Sequence, residues 1–177
     1  MQLDGLSKRT VFLTFFTAGI VQLLILGGSL AKAQGSGQPF TITIAGPTTP
    51  VKVGGDCDVQ ITATNVSNRT IGLLKAVGDQ NGFLDYHITI LNNGDGKEVA
   101  RTALGNRVEG KSDIPVHSSY RIVKLKPGEE LTLVSSINKI VNLSKPGLYK
   151  VQVSRDLPSD LGTGTVTSNT ITIQIIQ

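Results

Sequence analysis

From residue 40 onward, apolar side chains recur at every second position, between clusters of Gly, Pro, Asn, Asp and Ser. This alternation puts one set of side chains on the buried face of a strand and the other set toward solvent. The alternation predicts nine strands, at residues 40–44, 57–64, 71–76, 83–91, 97–103, 120–125, 131–137, 148–154 and 166–176.

Turn chemistry separates these strands. Segment 93–96 (Asn-Gly-Asp-Gly) offers residues that accept positive φ, and segments 126–128 and 145–147 place Pro before Gly, as tight turns prefer. No long helical pattern occurs outside the first 33 residues. Short strands separated by turn signals predict an all-β fold, an antiparallel β-sandwich of seven to nine strands over residues 40–177.

The first 33 residues follow a different pattern. Lys8 and Arg9 precede an uncharged, apolar stretch at 10–31, and Ala31-Lys32-Ala33 follows with small residues at the positions that a signal peptidase requires. We expect a helical signal peptide at 1–33, cleaved before Gln34, then a flexible lead-in at 34–39, and an exported protein, periplasmic or extracellular. The alternative is an uncleaved membrane anchor, because about 20 apolar residues can span a bilayer.

Removing the leader changes the size and charge of the chain. The mature part has 177 − 33 = 144 residues, enough for one core without a disulfide, and the single cysteine, Cys57, permits no intramolecular one. The leader carries three basic residues and one acidic, so the whole-chain charge of +4 falls to +2. A nearly neutral chain without Trp gives no reason to expect nucleic acid as a partner.

Segment 143–153, Leu-Ser-Lys-Pro-Gly-Leu-Tyr-Lys-Val-Gln-Val, resembles the start of strand F in immunoglobulin-like and fibronectin-like domains. The resemblance extends to bacterial exported immunoglobulin-like domains over about residues 40–176. It implies that Tyr149 forms a corner, with its hydroxyl bonded to upstream backbone, and that Cys57 lies on the facing strand. It also implies binding, spacing or scaffolding more often than chemistry.

Few residues suggest chemistry. The two histidines, His87 and His117, have only Asp85 and Asp113 near them in sequence, which makes a poor metal or acid–base site. Cys57 alternates with Val59 onto an inward face and is interpreted as a buried hydrophobe. Segment 92–98 has the oxygens of a calcium loop without its spacing, so a hairpin turn explains it better. We predict no cofactor, no metal and no enzymatic activity.

Segment 104–119 has little alternation and is predicted to be a long surface loop. Its charged residues form the candidate partner surface: Arg107, Glu109, Lys111, Asp113 and His117. The competing interpretation is an insertion without a role. The sequence therefore favours a non-catalytic binding or structural module whose partner is a protein or cell-envelope component, with the membrane involved only through an uncleaved leader. A proteinase inhibitor that presents loop 104–119 is the alternative, and an enzyme is the third hypothesis.

Overall fold

A computed structural model of the protein describes residues 37–79, 82–114 and 116–177. The predicted signal peptide at 1–33 and the first part of the lead-in, 34–36, lie outside the described residues. Among the helices of the described part, none is both long enough and apolar enough to cross a membrane.

The regular secondary structure of the described chain is almost all β-strand, with one short α-helix and one 3-10 turn at Ile137–Lys139. The elements are β1 (Phe40–Ala45), β2 (Val51–Lys52), β3 (Asp58–Asn65), β4 (Ile71–Ala76), β5 (His87–Asn92), α1 (Ala103–Val108), β6 (Tyr120–Leu125), β7 (Glu130–Ser136), β8 (Gly147–Asp156), β9 (Thr165–Thr167) and β10 (Ile171–Ile176).

Two sheets form the predicted immunoglobulin-like β-sandwich. One has the order β1-β3-β7, and the other has the order β2-β10-β8-β5 with β9 also on β8. The first two strands belong to different sheets, because β1 pairs with β3 while β2 pairs with β10. The β2–β10 pair is parallel, which departs from the purely antiparallel sandwich that was predicted.

The core lies between the inward faces of these sheets. In β1, β3 and β8 every second residue is buried, as the alternation predicts. Cys57 is fully buried beside Val59 and Ile61, so its predicted inward position is confirmed. Tyr149 is also buried, and its hydroxyl donates to the backbone oxygen of Lys145 at 2.7 Å, which confirms the predicted corner.

Three predicted strands differ from the observed ones. Residues 83–86 form a turn, in which the amides of Asp85 and Tyr86 both donate to the oxygen of Gly82. Segment 97–103 makes only isolated bridges at Glu98 and Arg101. Segment 166–176 divides into β9 and β10, because the side chains of Ser168 and Asn169 bond to backbone at the break.

A two-stranded ribbon, β4 with β6, continues the ladder formed by β3 and β7. Thr64 is opposite Glu130, and beyond a short interruption Ile71 is opposite Leu125. The interruption consists of residues 66–70 on one side and 126–129 on the other. The predicted turn at 126–128 is present, with the amide of Glu129 donating to the oxygen of Lys126, but the strands it joins do not pair with each other.

Candidate functional site

A cleft of about 330 Å³ lies next to the β4–β6 ribbon, and its lining residues carry four of the eight buried side-chain polar atoms of the described chain that have no hydrogen-bond partner. Its walls come from β4, segment 83–88, α1, the first residue of β6 and the end of β8. The lining residues are Leu74, Phe83, Leu84, Asp85, Tyr86, His87, Ile88, Arg101, Gly105, Val108, Glu109, Tyr120, Ile140, Arg155 and Asp156.

Arg155 connects the ribbon to the larger sheet. It occupies an inward position of β8, where only 7% of its surface is exposed. Its Nη2 donates to the backbone oxygen of Leu74, and its guanidinium lies 5.1 Å from the centre of the Tyr86 ring. Its Nη1 has no hydrogen-bond partner among the described residues. A buried guanidinium is costly without partners, so these contacts fix β4 against β8.

Asp85 holds the neighbouring part of β4. Its Oδ1 accepts a hydrogen bond from the amide of Ala76 at 2.9 Å, while Oδ2 has no hydrogen-bond partner within the described part of the chain. Burial raises the pKa of the Asp85 carboxyl, against the opposing effects of the Ala76 amide and the Arg155 charge. Burial also raises the pKa of the Tyr86 phenol, and Arg155 again opposes the shift.

An ion-pair network closes the opposite side of the cleft. The mostly buried Arg101 donates from Nη2 to the backbone oxygen of Ile88 at 2.8 Å and lies 2.8 Å from Glu98 and 2.5 Å from Glu109. Glu109 also pairs with Lys111, at 2.8 Å. Glu98 and Glu109 thus compensate the Arg101 charge, while Arg101 Nε has no hydrogen-bond partner among the described residues.

Helix α1 stands in the segment that was predicted to be a loop. Thr102 caps it, its Oγ1 accepting from the amide of Gly105 at 3.1 Å. Gly105 packs directly on the backbone of Ile140, because a Cβ at position 105 would lie 2.0 Å from the Ile140 oxygen. The helix is therefore part of the packed domain, and the exposed irregular segment begins only after it.

The five residues of the predicted partner surface are not brought together as one patch. Glu109 and Lys111 contact each other, whereas Arg107 belongs to α1, and Asp113 and His117 are exposed beyond it without a hydrogen bond or ion pair to described residues. Whether these residues bind a partner stays a prediction.

The outer face of the ribbon is apolar and open. Leu74 is 47% exposed, Tyr120 is 52% exposed and Ile122 is 65% exposed. Leu74 and Ile122 are directly opposite each other, and Tyr120 is opposite Ala76 on the same face. Leu74 and Tyr120 also line the cleft, so the apolar face and the cleft form a continuous surface.

Sequence reasoning missed Arg155 and Arg101, which organise the cleft. A signal for Arg155 was available, because it continues the inward series Val151, Val153 by one more step of two residues. A charged residue on an apolar strand face is a stronger pointer than charges in a loop. Arg101 offered no such signal, since its partners come from three separate segments.

Titratable groups elsewhere show no metal-binding arrangement: within the described ranges, no three His, Cys, Asp or Glu residues cluster. His87 lies 4.0 Å from Asp156, with both side chains largely exposed. Such an exposed pair contributes little to stability.

Comparison with known proteins gives only distant likenesses in shape. No family model and no curated protein matches the chain. A CARDB domain from Pyrococcus furiosus, solved with di-metal ions, is similar at 14% identity and a TM-score of 0.40, over 84% of this chain and 97% of that one. A β-glucosidase from Listeria innocua is similar at 16% identity and a TM-score of 0.38, over 78% of this chain. This chain spans only 16% of the length of that enzyme, and the β-sandwich assignment above rests on the strand pairing itself.

Proposed function

We propose that the protein is an exported, non-catalytic binding module that holds a protein partner of the cell envelope against the outer face of the β4–β6 ribbon. The observation that carries the proposal is the apolar face formed by Leu74, Tyr120 and Ile122. Each of these side chains is about half exposed or more, on strands whose positions are fixed by pairing and by Arg155. Adjacent apolar side chains on an ordered surface are typical of interaction sites.

The buried charges of the cleft support a binding role more than a catalytic one. Arg101 is paired with Glu98 and Glu109, and Arg155 is occupied by the Leu74 carbonyl and the Tyr86 ring. The contact of Arg155 with Leu74 holds β4 beside β8 and so supports the apolar face of the ribbon.

The proposal is tested by capture of envelope proteins with the parent chain and two matched double variants. Leu74→Ser with Ile122→Ser removes the apolar face. Leu148→Ser with Val134→Ser is the control, because these side chains are 45% and 49% exposed but lie on β8 and β7, outside the ribbon. We expect the first pair to lose at least ten-fold in captured partner and the control to retain it.

Equal capture by the two double variants would contradict the ribbon as the binding surface. Turnover of an esterase, glycosidase or protease substrate by the purified protein would contradict the non-catalytic role. Recovery of the full-length chain from membranes, instead of a chain starting at Gln34, would mean that the leader is retained as a membrane anchor.

The second candidate function is proteinase inhibition. It is favoured by the described residues between α1 and β6, 111–114 and 116–119, which follow the Glu109–Arg101 ion pair. Most of them are exposed: Lys111, Asp113, Ile114, His117 and Ser119. An inhibitor presents such a segment to a protease cleft on a rigid support. Inhibition of a protease by the parent, lost when 111–117 is replaced by Gly and Ser, would favour this function over the first.

A further inference from the structure

The two edges of the ribbon differ in how their backbone groups are satisfied. The amide of Ala76 donates to Asp85 and the oxygen of Leu74 accepts from Arg155, so these groups of β4 point away from β6. The amide of Val77 donates to Ser119, which places the odd-numbered residues of β4 in the bonded pairs. Asp85 and Arg155 thus occupy two of the outward backbone groups of β4.

The outward edge of β6 has no such side-chain contacts in the described chain. Tyr120, Ile122 and Lys124 are opposite even-numbered residues of β4, which are not in the bonded pairs. Their N–H and C=O groups therefore point away from β4. Within the ranges 37–79, 82–114 and 116–177, β6 pairs with β4 alone, and no side chain bonds to these three residues. Open edges of this kind are templates for a further strand.

The charge along this edge is positive. Arg121 and Lys124 are exposed, and segment 116–125 contains no Asp or Glu. A second copy of β6 would bring like charges together, whereas an acidic strand would compensate them.

We propose that β6 accepts an extended acidic segment of a partner protein as an additional antiparallel strand. This inference deepens the proposed function and rests on it. Backbone hydrogen bonds to Tyr120, Ile122 and Lys124 hold the added strand. Its alternate side chains meet Tyr120, Ile122 and Lys124 on one face of the ribbon and Arg121 on the other. Addition of the strand widens the ribbon from two strands to three and covers the exposed Ile122.

The register defines the sequence that such a strand requires. A residue opposite Ile122 or Tyr120 should be apolar, and a residue opposite Arg121 or Lys124 should be acidic. An antiparallel strand runs from the residue opposite Lys124 to the residue opposite Tyr120, so its core sequence is Glu-Val-Ile-Glu-Val. The matched control peptide, Lys-Val-Ile-Lys-Val, keeps the strand propensity and reverses the charge.

The experiment measures binding of these two labelled peptides to the full chain by fluorescence anisotropy at low salt. We expect the acidic peptide to bind and the basic peptide to bind at least ten-fold more weakly. Ile122→Pro should weaken the acidic peptide at least ten-fold, because it removes an outward N–H without touching a β4–β6 bond. Ile122→Thr also loses apolar contact but keeps that N–H, so it should bind the acidic peptide at least three-fold more tightly than Ile122→Pro.

A double variant provides an independent test in case Ile122→Pro does not fold. Arg121→Glu with Lys124→Glu changes two exposed side chains and should reverse the preference between the peptides. The proposal is overturned by equal binding of the two peptides, by no binding of the acidic peptide, or by full binding to folded Ile122→Pro. It is also overturned if the chain is a dimer that Ile122→Pro dissociates, since a second copy is then the occupant. A captured envelope protein that still binds Ile122→Pro would leave the proposed function standing and exclude only the edge.

Discussion

The phenol ring of Tyr149 lies in the core, while its hydroxyl reaches the oxygen of Lys145 four residues earlier. Tyr149→Phe removes this partly buried hydrogen bond, whose acceptor belongs to the exposed Lys145. We expect a loss of about 0.5–1.5 kcal/mol in the free energy of unfolding. Denaturant midpoints measure it, and Tyr120→Phe is the control because Tyr120 is exposed. An unchanged midpoint for Tyr149→Phe would mean that the corner does not stabilise the fold.

Cys57 should be unreactive in the folded protein. Burial, with a smaller effect from Asp58, raises the pKa of its thiol to about 11 from 9.0. At pH 8 only about a thousandth of the thiol is then ionised, so reaction with a disulfide reagent should be slow until denaturant is added. The unfolded thiol ionises first, so this contribution to stability is full below pH 9 and is lost as the pH rises through 11. Rapid reaction at pH 8 would contradict the buried position.

Two substitutions of Asp85 distinguish the effect of its charge from the effect of its hydrogen bond to the Ala76 amide. Because its pKa is raised in the fold, its contribution to stability is full below the ordinary value of 3.8 and is lost as the pH rises through the folded pKa. Asp85→Asn keeps an acceptor for the Ala76 amide and should not destabilise the protein at pH 7. Asp85→Ala leaves that amide without a partner and should cost about 1–3 kcal/mol. Thermal unfolding of the two variants between pH 3 and 7 compares them, and a greater loss for Asn than for Ala would be evidence against this role.

At the scale of elements, segment 104–119 consists of helix α1 and the residues that follow it. We expect these two parts to tolerate substitution differently. Replacement of 111–117 by seven Gly and Ser residues removes the exposed side chains of Lys111, Asp113, Ile114 and His117, and with them the surface pair of Lys111 with Glu109. It should change stability by no more than about 1 kcal/mol. Glu109→Ala takes a carboxylate from the mostly buried Arg101 and should cost about 1–3 kcal/mol. Melting temperatures test the contrast, and equal losses would mean that the exposed part is as well packed as α1.

Most strands were predictable because alternation reports burial directly. It located β1, β3, β4, β6 and β7 to within about one residue, and the Gly-containing turn at 93–96 reverses the chain as expected. Alternation failed where side chains replace backbone partners, as at Ser168 and Asn169, and where a turn carries apolar residues, as at 83–86. The two-residue strand β2 is too short to show a period.

At the scale of the whole described domain, the sequence indicated the sandwich but not which strands become neighbours. Pairing of β4 with β6 joins segments about fifty residues apart, and no local pattern specifies it. The cleft depends on that pairing, because Arg155 reaches Leu74 only when the ribbon lies beside β8. The candidate site was therefore less predictable than the fold, since it consists of side chains from several strands instead of one motif.

We expect the parallel pair β2–β10 to carry the load when the domain is pulled between these two strands. Val51 and Lys52 lie beside Ile175 and Ile176, and the amide of Val53 donates to Ile176 at 2.8 Å. Force applied along these two strands in opposite directions shears all the hydrogen bonds between them at once. The bonds must then break together instead of one after another. Val53→Pro removes one of the bonds and should lower the rupture force in single-molecule stretching, whereas Val53→Thr should leave it unchanged. An equal force for the two variants would place the mechanical resistance in another pair of strands.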